Sequence, residues 1–288
     1  MASAEARALK EAHPSAQVVV GDGEREIWSE IFAGNPNITR LATVQPGEKI
    51  VWLRNYRGCR PYLDYTHSQP NYRQSFTAYH ARSGDLFLSS VERAYAASVL
   101  RGLRDGNTPL ISVEPNVDFG PNKDWGFERW QQVVDHLQGR AQFVQPSFGK
   151  PVLSGVVGVP STFRGFCAVL ACCDLHMGPE GGLHHAAAAL ARPAVVLFGG
   201  RLHPEITGYS FHENVYVDGP ESPCGMIAPC SHCRSCLDAI QVSDVVARVV
   251  HLLGVHRRGL STGDPSAPPG IGSPVGSNAG SAERSPRV

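Results

Sequence analysis

The stretch GPEGGLHHAAAALARPAVVLFGG, Gly178–Gly200, places an alanine-rich segment between two short apolar runs. This pattern predicts a strand over Asp174–Gly178, a helix over Leu183–Ala191 and a second strand over Ala194–Phe198. Strands that alternate with helices in this way are typical of a parallel sheet covered by helices. The stretch therefore places the protein in the α/β class.

The same alternation continues on both sides of this stretch, most regularly in the second half of the chain. The other strands predicted there are Leu110–Glu114, Ala141–Gln145 and Asn214–Val217, and the other helices are Trp125–Gly139, Thr162–Cys172 and Val242–Leu253. In the first half, the predicted helices are Ala4–Ala12, Glu24–Phe32 and Val91–Arg104, and the predicted strands are Gln17–Val20 and Ile50–Leu53.

The turn-rich sequence Asp105-Gly106-Asn107 marks a boundary between two groups of elements. We expect two Rossmann-like domains, an N-terminal one over residues 1–105 and a C-terminal one over residues 106–256. A doubly wound domain normally begins with a strand, whereas the first predicted element is a helix. We therefore expect the N-terminal domain to lack its first βα unit. Residues 257–288 are rich in Gly, Ser and Pro, and they are predicted to form a disordered tail.

The charge composition excludes one class of partner. Lys and Arg together number 26, as do Asp and Glu, so the formal net charge is zero. A general nucleic-acid binder needs a basic surplus to neutralise phosphates, so we expect no nucleic-acid partner. No apolar run approaches the roughly 18 residues of a membrane span. Charged residues also interrupt the N-terminal segment where a signal peptide would be apolar. These features predict a soluble, cytoplasmic protein.

Several common enzyme motifs are missing from the sequence. It has no Gly-x-Gly-x-x-Gly after a strand, no phosphate-loop pattern and no Gly-x-Ser-x-Gly. It also has no Asp-x-Asp, which argues against a sugar transferase that holds its nucleotide through a divalent metal. We therefore expect no catalytic divalent metal.

A first candidate group, Glu180-Gly181-Gly182, lies between a predicted strand and the alanine-rich helix, and His184 and His185 follow it. Ligands of open α/β sheets bind beyond the carboxyl ends of the strands. A helix that begins with Gly-Gly presents its backbone N–H groups to an anion such as a diphosphate. Glu180 would repel phosphate, so it fits sugar or ribose hydroxyls better. The same residues also fit a tight turn with a capping carboxylate and packed histidines.

A second candidate is Lys123, which follows the predicted strand Leu110–Glu114. It is expected at the same sheet edge as Glu180, where a lysine can neutralise a leaving diphosphate. A solvated position on the surface is the alternative for this lysine. The nearby Trp125 and Trp130 are predicted to belong to the core.

A third candidate is the run Cys224-x5-Cys230-x2-Cys233-x2-Cys236, with His232 inside it. Four thiolates at this spacing can wrap one tetrahedral ion, so the run predicts a metal site for zinc or iron. An iron–sulfur cluster also fits, and scattered buried cysteines or a redox pair are the alternatives. A site closed by four protein ligands leaves no open position for chemistry, so its predicted role is structural.

Together, these groups resemble glycosyltransferase family 9, the heptosyltransferase-like enzymes of the two-domain GT-B type. The resemblance extends over Ala4–Leu253. It is carried by NKDWGFERW (Asn122–Trp130), by the stretch Gly178–Gly200 and by the cysteine run that ends in CLDAI (Cys236–Ile240). The GPEGG variant combined with a cysteine cluster is similar to the branch that includes autotransporter heptosyltransferases, in which the cluster holds a metal.

The resemblance implies an inverting transfer of a heptose-like sugar from a nucleotide-diphosphate donor, ADP-linked, to a saccharide or protein acceptor. It implies that Lys123 contacts the donor diphosphate and that Glu180, Gly181, Gly182 and His185 line the donor pocket. Better-known members carry Asp where this chain has Glu180, and commonly Thr where it has Gly181. These departures bear on the choice of donor.

The catalytic base of the family is an Asp in the loop after its first strand, and that loop is not in this sequence. The sequence therefore assigns no catalytic residue. The alternative function is a catalytically inactive relative that binds a nucleotide sugar or acts as a scaffold. A homo-oligomer is compatible with either function.

Overall fold

The computed structural model describes residues 1–54, 60–69, 72–103, 108–117 and 120–261, with side chains described up to residue 254. The predicted hinge Asp105-Gly106-Asn107 and the part of the predicted tail beyond residue 261 lie outside these ranges. In chain order the elements are α1 (Ala2–Ala12), β1 (Gln17–Val20), β2 (Ile50–Leu53), β3 (Leu63–Gln69), β4 (Arg73–Phe76), α2 (Ser90–Val99), β5 (Leu110–Val113), α3 (Phe127–Leu137), β6 (Gln142–Pro146), β7 (Val157–Val159), α4 (Phe163–Leu170), β8 (Leu175–Pro179), α5 (Gly182–Ala189), β9 (Ala194–Leu197), α6 (Pro204–Thr207), β10 (Glu213–Val215), α7 (Ser231–Ala239) and α8 (Val242–Ser261).

Six parallel strands form the main sheet, in the order β10-β9-β8-β5-β6-β7. The chain starts at β5 in the middle, winds outward to β7, and then returns to β8 on the other side of β5. This is the doubly wound arrangement, and it creates a switch point between β5 and β8 where the two following loops diverge. The predicted α/β fold of the second half is confirmed.

Helices cover both faces of this sheet and bury its side chains. On one face, α3 and α8 pack over Trp125 and Trp130, whose rings meet edge to face with centroids 5.0 Å apart. On the other face, α4 and α5 pack with α2, so the segment around Ala96 and Leu100 belongs to the core of the second half. Both tryptophans are almost fully buried, which confirms their predicted place in the core.

The first half of the chain contributes a small parallel pair of strands. β1 lies beside β2, with Gln17 opposite Ile50, and α1 packs against both strands. Among the described residues, this pair and the antiparallel hairpin β3–β4 are the only sheet structure before β5.

The predicted helix Glu24–Phe32 is wrong. The Asp22 carboxylate accepts hydrogen bonds from the backbone N–H groups of Glu24 and Arg25, which closes a turn directly after β1. Only Glu30–Phe32 then forms a short 3₁₀ turn. Asp side chains compete with helical hydrogen bonds in this way, and the local turn prevails over the helical pattern of the sequence.

The last helix is longer than predicted. α8 continues to Ser261, past the predicted end at Leu253 and into the segment assigned to the tail. No described helix is both long and apolar enough to cross a membrane.

Arg164, at the start of α4, connects the first half of the chain to the second. Its guanidinium pairs with the Glu92 carboxylate of α2 and donates to the backbone carbonyls of Glu30, Ile31 and Phe87. Only 12% of the Arg164 side chain is exposed. One planar group therefore satisfies several acceptors that lie far apart in the sequence, as the fork geometry of arginine allows.

The first prediction concerns this connection. Arg164→Ala should lower the free energy of unfolding by about 2 to 3 kcal/mol, because it leaves Glu92 and the carbonyls without their shared donor. Urea denaturation at neutral pH measures the change. Arg101→Ala, at an exposed position, is the control and should lie close to wild type. Equal midpoints for the two variants would contradict the connecting role of Arg164.

Candidate functional site

The candidate site lies at the switch point between β5 and β8. Lys123 closes a short 3₁₀ turn, Pro121–Lys123, in the loop that follows β5. Glu180 directly follows β8, and its N–H donates to the Leu197 carbonyl, which fixes the backbone at the sheet edge. The structure thus brings Lys123 and Glu180 to the same edge, as the sequence predicted.

The two side chains form a buried ion pair. The Lys123 ammonium contacts the Glu180 carboxylate, and its Nζ also lies 3.2 Å from the Glu180 carbonyl oxygen. The exposed fractions of the side chains are 19% for Lys123 and 7% for Glu180. Lys123 is therefore not a solvated surface lysine, which was the alternative that the sequence left open.

His185 and Tyr209 continue this arrangement on the other side of Glu180. His185 Nε2 lies 3.6 Å from Glu180 Oε1, and His185 Nδ1 lies 2.9 Å from the Tyr209 hydroxyl. A hydroxyl that donates to Nδ1 leaves the imidazole proton on Nε2, where it faces the carboxylate. Tyr209 is buried, and no sequence pattern pointed to its role because it lies in an irregular segment after α6.

These neighbours determine the charge of Glu180. Burial alone would raise the pKa of the Glu180 carboxyl, but the Lys123 ammonium and the nearby His185 ring hold that pKa well below its ordinary value. Burial lowers the pKa of His185. At neutral pH the site therefore contains a charged Lys–Glu pair beside a neutral imidazole.

A cavity of about 290 Å³ opens beside the ion pair. Gly181 and Gly182 lie on its wall at the start of α5, and Gly181 supplies no side-chain cap to the first turn of the helix. A Cβ at Gly182 would lie 3.0 Å from the Phe163 ring, so close packing explains this glycine. The open helix N-terminus gives the cavity a partial positive charge that suits an anion.

Several polar residues of this cavity had no sequence signal. Glu114 and Asn116 follow β5, and Ser147 and Lys150 follow β6. Phe148 lies between the last two with a φ of 41°, in the left-handed region that non-glycine residues rarely adopt. The loop after the neighbouring strand therefore completes the cavity, which only the strand order reveals.

A cluster of buried histidines lies behind the site. His176, His184 and His212 are buried, and neither ring nitrogen of His184 has a partner within the described part of the chain. Burial lowers the pKa of His176 to about 3 and of His212 to about 4, so both rings are neutral at pH 7. His184 is therefore a packed histidine, as in the alternative interpretation of the sequence, whereas His185 faces Glu180.

The cysteine run folds into a compact cluster. The ligand atoms of Cys224, Cys230, His232 and Cys233 lie within 4.8 Å of one another. The fourth predicted ligand, Cys236, lies outside this set, with its Sγ 3.6 Å from His232 Nε2. The structure thus brings three of the four predicted thiols together with His232, and the fourth predicted thiol lies beside that histidine.

The donor set of this cluster fits a metal ion. The Sγ atoms of Cys224 and Cys233 are 3.2 Å apart, which is longer than a disulfide bond and shorter than the roughly 3.8 Å edge of a tetrahedral site with metal–sulfur distances of about 2.3 Å. His232 Nδ1 is buried and has no hydrogen-bond partner among the residues that the structure describes. A Cβ at Gly200 would lie 2.6 Å from the His232 ring, so the absence of a side chain at Gly200 makes room for that ring. Thiolates and imidazole together suit zinc or iron.

Comparison with known families agrees with the resemblance in the sequence. Residues 158–227 match the family model of glycosyltransferase family 9 (heptosyltransferase). The matched segment contains Glu180, Gly181, Gly182 and His185 of the candidate site. Comparison of the sequence with curated proteins gives no match.

Solved structures of similar fold include several glycosyltransferases. The iron-containing dodecameric glycosyltransferase TibC from enterotoxigenic E. coli H10407 aligns with a TM-score of 0.56 and 14% identity, over 88% of this chain and 71% of its own. A glycosyltransferase family 9 structure from Veillonella parvula aligns with a TM-score of 0.50 and 20% identity, over 61% of this chain and 55% of its own. E. coli ADP-heptose LPS heptosyltransferase II aligns with a TM-score of 0.47 and 19% identity, over 60% and 54%. The chain spans just over half the length of the last two, and the likeness confirms the predicted GT-B type of fold.

The second prediction follows from the lowered pKa of Glu180. A carboxyl whose pKa is lower in the folded state stabilises the protein above its unfolded pKa, and this contribution is lost as the pH falls through the folded pKa. Glu180→Gln should therefore lower the free energy of unfolding by about 3 kcal/mol at pH 7, where Lys123 loses its partner. The difference from wild type should shrink as the pH falls below 4.5, the ordinary pKa of the carboxyl.

Denaturant titrations at pH 7, 5, 4 and 3 measure this difference. Glu221→Gln, at an exposed position, provides the control and should follow wild type throughout. A difference between Glu180→Gln and wild type that stays constant with pH would contradict the charged state of Glu180.

Proposed function

We propose that the protein is a glycosyltransferase that moves a heptose-like sugar from an ADP-linked donor to a saccharide or protein acceptor. The observation that carries this proposal is the convergence of Lys123 and the N-terminus of α5 on one cavity at the switch point of a doubly wound sheet. The family 9 match over residues 158–227 supports sugar transfer. TibC also forms a complex with ADP-D-beta-D-heptose, which supports this donor class.

Negative charge develops on the departing diphosphate during the reaction, and the site has to stabilise it. The acceptor hydroxyl attacks the anomeric carbon from the far face, a new carbon–oxygen bond forms, and the bond to the diphosphate breaks with its electron pair. Lys123 and the open first turn of α5 stabilise the departing ADP by charge and by N–H donation. These groups are fixed before reaction, so little reorganisation is needed.

Glu180 and His185 suit the sugar or ribose part of the donor. The Glu180 carboxylate can accept hydrogen bonds from hydroxyl groups, and its charge is compensated by Lys123. In the family that the sequence resembles, the base that takes the hydroxyl proton lies in the loop after the first strand. None of the donor-site residues described above takes that role in our proposal.

We further propose that the cysteine cluster holds one structural metal ion, iron or zinc. Cys224, Cys230 and Cys233 would supply thiolates, and the fourth ligand would be His232, which the geometry favours, or Cys236, which the spacing predicted. TibC is an iron-containing protein, which supports iron here. A bound ion would neutralise the thiolates and stabilise a segment that has little secondary structure before α7.

The protein is proposed to act in the cytoplasm. TibC is dodecameric, which supports a homo-oligomer here as well.

The third prediction tests the donor site. Lys123→Ala should weaken ADP binding about 10- to 100-fold, because it removes the charge nearest the diphosphate and leaves Glu180 to repel it. Isothermal titration calorimetry with ADP, UDP and GDP measures the dissociation constants, and ADP should bind most tightly. Lys49→Ala, at an exposed position, is the matched control. An unchanged dissociation constant for Lys123→Ala would remove Lys123 from the donor site.

The same proteins distinguish the two functions. Sugar transfer from ADP-heptose to a saccharide or protein acceptor supports the transferase. ADP binding without transfer, in a folded and metal-loaded protein, supports the alternative of an inactive nucleotide-sugar-binding relative.

The fourth prediction concerns the metal. Cys230→Ser should lose the bound ion and lower the melting temperature, because a structural metal contributes folding free energy. Elemental analysis of the purified protein identifies the ion, and Cys172→Ser, outside the cluster, is the matched control. His232→Ala and Cys236→Ser are compared in the same way, and the variant that loses metal identifies the fourth ligand. A wild-type protein that is free of metal and fully stable would refute the site.

A further inference from the structure

Asn122 occupies an unusual position between the two candidate sites. It directly precedes Lys123 in the 3₁₀ turn Pro121–Lys123, and only 2% of it is exposed. Its side chain does not line the donor cavity. A buried amide needs partners for both of its donors and for its acceptor, so the direction of its hydrogen bonds shows what the residue holds.

The hydrogen bonds of the Asn122 side chain run to the cysteine segment, Cys224–Cys236. Its Nδ2 donates to the carbonyls of Met226 and Ala228, at 2.8 and 2.7 Å, and its Oδ1 accepts from the N–H of Cys230, at 3.0 Å. Both donors and the acceptor are thus used. One side chain therefore fastens the loop after β5 to the backbone around a candidate metal ligand.

The backbone of the same turn is fixed from the opposite side. A Cβ at Gly199, just after β9, would lie 2.4 Å from the Asn122 carbonyl oxygen, so the turn is in close contact with the end of that strand. The Lys123 N–H donates to the Gly120 carbonyl at 3.0 Å, which closes the turn. The turn is thus held by the end of β9 on one side and by the Asn122 side-chain contacts to the cysteine segment on the other.

From these contacts we infer that Asn122 is a positioning residue, which anchors the Lys123 turn to the cysteine segment and so holds the lysine ammonium in the donor cavity. The inference rests on the proposed role of Lys123 in binding ADP. It assigns the cysteine segment a part in nucleotide affinity in addition to its part in stability. The Lys123 side chain has four rotatable bonds. If its backbone is also free to move, more conformational entropy is lost when ADP binds, and the affinity for ADP falls.

A double-mutant cycle tests this inference. Asn122→Ala should weaken ADP binding about tenfold, as expected for the loss of a fixed charged contact. Because Asn122 acts through Lys123, the double variant Asn122→Ala/Lys123→Ala should bind ADP no more weakly than Lys123→Ala alone. A purely structural role would give losses that add. The melting temperature and metal content of each variant are measured alongside the dissociation constants.

Arg129→Ala is the matched control. Arg129 connects α3 to the part of α7 just beyond the cysteine segment, through Asp238 and the Leu237 carbonyl, but it does not touch the Lys123 turn. It should retain wild-type affinity for ADP. If Asn122→Ala does not fold, Asn122→Asp replaces it in the cycle, because it keeps an acceptor for the Cys230 N–H and loses both donations.

The outcomes separate the inference from the proposed function. The positioning role would be overturned by any of three outcomes: wild-type affinity in the Asn122 variant, additive losses in the cycle, or an equal loss in Arg129→Ala. In each of these cases ADP binding by the wild-type protein would still support the donor site. Failure of the wild-type protein to bind ADP would instead refute the proposed function.

Discussion

The buried ion pair between Lys123 and Glu180 is the interaction on which the candidate site depends. Removing two charges from water is costly, and their attraction compensates only when the surrounding groups fix the geometry. Here the fixing groups come from separate strands of one sheet, since Lys123 follows β5 and Glu180 follows β8. The doubly wound strand order makes these two strands neighbours, so the charge pair depends on the topology.

The order of the elements around this pair also explains which contacts the sequence predicted. Lys123 and Glu180 were placed at one sheet edge because the carboxyl ends of parallel strands always share an edge. The sequence did not tell which of His184 and His185 faces Glu180. Adjacent helical residues point in directions about 100° apart, so the answer depends on how the helix is turned toward the site. His185 therefore meets Glu180, while His184 is buried against Phe198 and Tyr209.

Contacts between distant segments account for most of what sequence reasoning missed. The helix expected around Glu24 gave way to a turn held by Asp22, a side-chain effect that hydrophobic periodicity does not contain. Cysteine spacing predicted a site with four thiols, whereas the structure groups three of those thiols with His232 and leaves Cys236 beside that histidine. Asn122 gave no signal at all, because its partners lie about a hundred residues further along the chain.

The pairing of Glu180 with lysine also resolves a conflict in the sequence. A carboxylate beside an anion-binding helix would normally repel a diphosphate, yet the pair carries no net charge and the helix N-terminus adds a partial positive one. In the proposed function, an incoming diphosphate shares the Lys123 ammonium while the other Glu180 oxygen, which lies near His185, accepts from a hydroxyl. Loss of the lysine would then act twice, because it removes the attraction and leaves a buried carboxylate unpaired. The acidic residue is compatible with an anionic ligand only because the lysine turn is held in place.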